Sequence, residues 1–151
     1  MEIETKAFKP GGSIPSVHTC DGADKSPDLS WSDPPAGTAS FALICDDPDA
    51  RAGTWVHWLA WNIPADARGF SEGVSGQPQL ADGTRQGSNG SRRIGYSGPC
   101  PPSGTHRYFF RLFALDRELD LPPGAARPAL ESALKGHVLA QAELMGTYRR
   151  S

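Results

Sequence analysis

Apolar residues in this chain fall in short runs punctuated by glycine and proline, with few of the long amphipathic stretches that make helices. Ser40–Asp46 is a compact apolar run that ends in acids. Trp55–Ile63 carries three tryptophans and meets no breaker before Pro64. It is apolar at odd and even positions alike, the signature of a strand buried on both faces. Thr105–Leu115 predicts a third strand and Leu29–Trp31 a weaker one. Only the C-terminus has helical spacing, through Leu130, Ala133, Leu134, His137, Val138, Gln141 and Met145, with Gly136 dividing it into two helices that cover one side of a sheet. Short strands joined by turns predict an all-β sandwich or barrel, organised as a single domain over residues 1–151.

Strand alternation places the side chains that could do chemistry. His106, Tyr108, Phe110 and Leu112 share one face of the third strand, and Thr105, Arg107, Phe109, Arg111 and Phe113 the other. The same rule puts His57 on a face with Trp55, Leu59 and Trp61. Between Ile63 and Thr105 lie nine glycines and five prolines. A structureless loop of that length is unusual in a compact domain, so the segment is expected to hold short strands and a functional surface. It ends in the rigid run Ser97-Gly98-Pro99-Cys100-Pro101-Pro102, which feeds directly into His106 and Tyr108.

Composition narrows the partners. The net charge of −2 and pI near 6.0 argue against a nucleic-acid or membrane-surface binder, and no apolar run reaches membrane-spanning length. The charge is uneven. Nine acids precede position 51, whereas Gly83–Leu115 holds no acid but five arginines, which favours an anionic ligand there. Cys20, Cys45 and Cys100 are odd in number and do not read as a disulfide framework. Met1 is followed by polar residues rather than an apolar leader. A reducing, cytoplasmic location is therefore the default expectation.

Three chemistries fit the candidate residues. In the first, Gly98 presents a backbone N–H while His57, His106 and Tyr108 donate side-chain hydrogen bonds to an anion. A carboxylate of the Asp46-Asp47-Pro48-Asp49 turn then fixes a histidine tautomer. In the second, His57, His106 and Asp47 ligate zinc, although their spacing matches no compact zinc motif. In the third, Cys100 or Cys45 acts as a thiol nucleophile beside a histidine, against the simpler reading that both are small buried structural residues. His18 and His137 lack a partner pattern and read as structural.

Three separated motifs carry a family resemblance. They are Asp47-Pro48-Asp49-Ala50; Trp55-Val56-His57-Trp58 with Trp61-Asn62-Ile63-Pro64; and Gly95-Tyr96-Ser97-Gly98-Pro99-Cys100-Pro101-Pro102 with Gly104-Thr105-His106-Arg107-Tyr108. Together with Phe8–Pro15 and Lys135–Ala140, nearly the whole chain resembles the bacterial Raf-kinase-inhibitor-like branch of the phosphatidylethanolamine-binding protein family. The resemblance implies a sandwich of two antiparallel sheets with short C-terminal helices. It implies a surface cavity for phosphate, a phospho-head group or a carboxylate, lined by Asp47, His57, Gly98, His106 and Tyr108. Pro48, Asp49, Pro99 and Arg107 would support it. It further implies a protein that is not an enzyme, needs no cofactor and acts on a partner kinase or protease. The alternatives are a metal- or thiol-dependent hydrolase built on the same cluster, and an interaction module with a vestigial cavity. Aromatics near a flat sheet leave a homodimer open. Arg51 stands where the family's first motif usually continues with proline, which makes the rim more flexible and more basic. One puzzle accompanies the resemblance: Asp47 repels a bound phosphate unless it holds a histidine charged or is itself protonated, and the former is the expectation.

Overall fold

The computed structural model describes residues 1–150. Its strands are β1 (Glu2–Glu4), β2 (Leu29–Ser32), β3 (Ser40–Asp47), β4 (Trp55–Pro64), β5 (Gly69–Phe70), β6 (Arg85–Gln86), β7 (His106–Leu115) and β8 (Val138–Tyr148), with one helix, α1 (Arg127–Leu134). They form a three-stranded sheet in the order β1-β2-β5 and a five-stranded sheet in the order β6-β4-β3-β7-β8. All named strand pairs are antiparallel. No helix among the described residues is long and apolar enough to cross a membrane.

The five-stranded sheet is buried on its inner face and, over its central strands, on its outer face as well. Its inner face packs Phe41, Leu43, Trp58, Phe110 and Leu112 against Ile3, Leu29 and Trp31 of the small sheet. Its outer face packs Ile44, Leu59, Trp61 and Leu115 against Leu130 and Leu134 of α1 and Leu119 and Leu121 of the preceding loop. β3 is central, and all eight of its residues are buried. That position explains its uninterrupted apolar run.

The second predicted helix is a strand. Gly136, at φ 80°, ends the helical stretch in the left-handed conformation that glycine adopts without cost. β8 then pairs with β7 along its length. The decisive pattern in β8 has a period of two: Ala142, Leu144, Gly146 and Tyr148 are buried, while Gln141 and Glu143 are exposed. A helical reading of Val138, Gln141 and Met145 matched the polar side of the strand. Gly146 allows the N-terminal segment to close on this edge, because a β-carbon there would lie 2.7 Å from both Ile14 and Phe8.

β4 departs from simple alternation at two bulges. Cys45 pairs with Trp58 and Asp46 with Val56, so His57 has no partner on β3. Phe41 pairs with Ile63 and Leu43 with Ala60, which adds a second extra residue on β4. Asn62 sits there at φ 54° and exchanges hydrogen bonds with the Leu119 backbone. An extra residue in one strand breaks the two-residue period locally. The expectation that His57 shares a face with Leu59 and Trp61 is therefore corrected. Those two residues enter the outer core, whereas His57 lies on the cavity side with Tyr108.

Candidate functional site

A cavity of about 480 Å³ opens where the ends of β3, β4 and β7 meet the β3–β4 turn, the loop that follows the short helical turn Ser16–His18, and the loop around Gly98. Its lining includes Asp47, His57, Gly98, His106 and Tyr108, so the five expected residues do converge. Asp24, Arg51, Trp55 and Arg93 also line it and were not anticipated as site residues. Arg51 was marked for the rim by its place in the first motif, Arg93 was visible only within the arginine-rich Gly83–Leu115 stretch, and Asp24 carried no signal at all.

Asp47 and His106 form the polar centre. Although 59 residues apart in sequence, they approach to 2.7 Å between Oδ2 and the ring Nδ1, because antiparallel β3 and β7 bring the end of one beside the start of the other. The Asp47 side chain is 5 % exposed and the His106 side chain 12 %. The other Asp47 oxygen, Oδ1, accepts the backbone N–H of Asp49 at 2.8 Å. Both carboxylate oxygens are thus engaged, which offsets the repulsion Asp47 would exert on an anion. The Nδ1–H of His106 donates to Asp47, leaving Nε2 directed elsewhere.

Asp49 fixes the position of His106. It accepts the backbone N–H of Arg107 at 2.9 Å and a two-pronged guanidinium contact from Nε and Nη2, each at 2.9 Å. Hydrogen bonding to Arg107 holds the Asp49 carboxyl down at about 2. Arg107 lies on the strand face opposite Tyr108, as alternation requires, and its guanidinium rests 5.6 Å from the Phe109 ring centroid.

His57 is held differently. Its Nδ1–H donates to the Ser97 carbonyl, and its own carbonyl accepts the Ser97 N–H at 2.9 Å. Burial pushes the ring toward its neutral form, outweighing the Ser97 hydrogen bond. Neutral, with its proton on Nδ1, the ring offers Nε2 as an acceptor rather than a donor. Tyr108 packs between the histidines, 5.2 Å from the His57 ring and 6.5 Å from the His106 ring. Its hydroxyl is buried and has no hydrogen-bond partner in the protein. Burial, followed by the Asp47 charge, holds that hydroxyl protonated. A buried unpartnered hydroxyl costs about 1–3 kcal/mol, so this one is a group that a ligand can satisfy.

Gly98 has a different role from the one its sequence context implied. Its N–H donates to Asp24 Oδ1 at 2.8 Å and is not open to a ligand. What the position requires is the absence of a side chain. A β-carbon would meet the His18 carbonyl oxygen at 2.1 Å and Asp24 Oδ1 at 2.5 Å. Tyr96 closes the same junction by donating to the His18 carbonyl at 2.7 Å.

Cys20 and Cys100 are joined by a disulfide, with their Cα atoms 5.4 Å apart. This corrects the reading of the cysteines as unpaired and of Cys100 as a buried thiol: both bridged residues are exposed on the cavity wall. A sequence separation of 80 gives no local signature of the pairing. The bridge also removes the cysteine-count argument for a reducing compartment. Cys45, the remaining thiol, is buried, and burial pushes it well above its usual range. Thiol catalysis therefore lacks an activated nucleophile here. Among the described residues, no three His, Cys, Asp or Glu side chains converge to hold a metal ion, so the zinc alternative lacks a ligand set.

Comparison with known proteins agrees with the fold and the motifs. The family model described as phosphatidylethanolamine-binding protein matches residues 4–149. The UPF0098 protein of Methanothermobacter thermautotrophicus is 54 % identical over 150 residues, covering 99 % of each chain. A solved structure of a putative phosphatidylethanolamine-binding protein homolog from Chlamydia trachomatis superposes with a TM-score of 0.91 at 39 % identity, covering 99 % of this chain and 97 % of that one. Escherichia coli YbcL, described as a new member of the mammalian PEBP family, superposes with a TM-score of 0.90 at 30 % identity, covering 99 % and 98 %.

Proposed function

The chain belongs to the phosphatidylethanolamine-binding protein family, and on that premise we propose that its cavity binds a small anion of the phosphate head-group class and does not transform it. The observation that carries the reading is the buried, unpartnered Tyr108 hydroxyl beside the Asp47–His106 pair. Asp47 takes the Nδ1–H of His106. The His106 Nε2 is left for the ligand, and a proton shared between it and a ligand oxygen makes a charge-assisted hydrogen bond, the stronger kind. The Tyr108 hydroxyl supplies a further donor. His57, neutral and presenting Nε2 as an acceptor, matches a protonated ligand oxygen. A phosphate that keeps one proton offers both kinds of oxygen at once, and for a monoester that proton is lost near pH 6. Simple binding is favoured over thiol or metal-assisted turnover because the Cys45 thiol is buried and, among the described residues, no metal-ligand set is assembled.

Titration with inorganic phosphate, followed through the histidine ring resonances, tests this. Both His57 and His106 are expected to shift, and sulfate, which carries no proton at neutral pH, is expected to bind more weakly. If neither ring responds at millimolar phosphate, the site assignment fails.

A further inference from the structure

The cavity is larger than a phosphate needs, and its charges are arranged in depth. At about 480 Å³ it lies within the roughly 300–1,000 Å³ typical of pockets that enclose whole small molecules. Asp24 and Asp47 supply negative charge to its wall, with His57 and His106 beside them. Its only arginines are Arg51 and Arg93. Among the described residues neither guanidinium has a hydrogen-bond or ion-pair partner, and both residues are exposed. Arg107 is already committed to Asp49 and Arg111 to Asp46 and Glu143, and Arg92, beside Arg93, does not line the cavity.

The backbone beneath the two free arginines carries its own hydrogen bonds. Arg51 sits in the β3–β4 turn, closed by the Gly53 N–H donating to the Ala50 carbonyl at 3.2 Å. Arg93 ends a loop organised by Asn89. The Asn89 Oδ1 accepts the N–H groups of Ser91 and Arg93, and its Nδ2 donates to the Gly95 carbonyl. That loop is held against β4 by the Gly90 N–H bonding the Val56 carbonyl at 2.8 Å. The Trp55 indole covers Gly90, where a β-carbon would lie 2.4 Å from the ring, yet Trp55 remains 42 % exposed on the cavity rim.

We propose that Arg51 and Arg93 select ligands with two anionic groups. One group is taken by His106 and Tyr108, and the other, a phosphate or carboxylate at the far end of the ligand body, by the two rim guanidiniums. The proposal rests on the anion-binding reading of the cavity and adds the class of ligand to it. The one cationic donor the interior offers, His106, is taken by the first anion; the rim is where further unpaired positive charge stands. Guanidiniums suit this task because they pair with phosphate or carboxylate through two parallel hydrogen bonds.

The test compares fructose 6-phosphate with fructose 1,6-bisphosphate, which differ by one phosphate on the same sugar body, with inorganic phosphate as reference. Calorimetric titrations are run on the wild-type protein and on the Arg51→Ala/Arg93→Ala variant, whose substitutions are at exposed positions. The wild type is expected to bind the bisphosphate about tenfold more tightly than the monophosphate, the worth of roughly two solvent-exposed charge-assisted pairs. The variant is expected to bind both sugars alike, while its His106 ring still shifts on titration with inorganic phosphate. The preference should also shrink as salt rises from about 0.05 to 0.5 M. Equal binding of the two sugars by the wild type overturns the proposal, as does a preference that survives in the variant. If inorganic phosphate itself neither binds nor shifts the His106 ring, the cavity reading fails first and this proposal falls with it.

Discussion

Replacing Cys20 and Cys100 together by serine cuts a cross-link between residues 80 apart in sequence. On the chain-entropy account, a loop of that size removes about 15 cal/mol/K from the unfolded ensemble, or about 4.5 kcal/mol at 25 °C. The native structure around the bridge has other ties that survive the change. The Cys20 N–H donates to the Pro99 carbonyl at 3.1 Å, and Gly98 remains bonded to Asp24. The loss therefore acts chiefly through the unfolded state, and native strain or residual unfolded structure reduces it toward about 2 kcal/mol. For a chain of 151 residues a loss of about 2–4.5 kcal/mol lowers Tm by roughly 6–15 °C. Urea unfolding monitored by tryptophan fluorescence measures it. The variant is expected to show a lower midpoint and a steeper slope, because an unbridged unfolded chain exposes more surface. Wild-type protein under reducing conditions should behave as the variant does. A stability change below about 1 kcal/mol with an unchanged slope would refute the loop-closure reasoning and mark the bridge as a local ornament.

Other perturbations separate fold from function. Tyr108→Phe removes a buried hydroxyl that has no protein partner; stability should be unchanged or rise by up to about 1 kcal/mol while phosphate affinity falls, and a stability loss above 1 kcal/mol would show that the hydroxyl is satisfied internally. Gly98→Ala places a methyl 2.1 Å from the His18 carbonyl oxygen, so the backbone must shift; a loss of about 2 kcal/mol or more is expected in urea unfolding, and wild-type stability would contradict the packing. His57 has its folded-state pKa lowered by burial, so the unfolded chain binds the proton first. Stability should fall as pH drops below about 6.5 and level off below the folded-state value, and a His57→Gln variant should show a flatter profile over that window. Asp49 has its carboxyl lowered to about 2 by Arg107, so its contribution is complete above about pH 4 and disappears as pH falls toward 2; Asp49→Asn should therefore narrow the stability gap to wild type in acid titrations, and a gap that is constant with pH would exclude the ion pair as its origin.

The strands legible in the sequence were those whose burial is uniform. β3 and β7 could be placed because a strand buried on both faces is apolar throughout, and one buried on a single face alternates. β8 was hidden because its inward series includes Ala142 and Gly146, residues too small to register as a hydrophobic period. The face of His57 was misread for a related reason: alternation assumes an unbroken ladder, and a bulge leaves no mark in composition. Asp47, His106 and Tyr108 were legible because each stands at a strand end or on a strand face with a fixed direction. Asp24, the Cys20–Cys100 bridge and the engagement of the Gly98 N–H were not, since each depends on segments brought together across more than 70 residues.

The bulge at His57 has a consequence for how such a site can arise. Val56 and Trp58 keep neighbouring partners on β3 whether or not a residue stands between them. Deleting His57 would leave Val56 facing outward and Trp58 inward, with a regular ladder and both cores intact. The residue that bonds Ser97 through its carbonyl and its ring, and so moors the cavity loop to the sheet, is an insertion that the rest of the fold does not require. The cavity loop therefore hangs from a position outside the strand ladder, so its anchorage and the β3–β4 pairing are set by different residues.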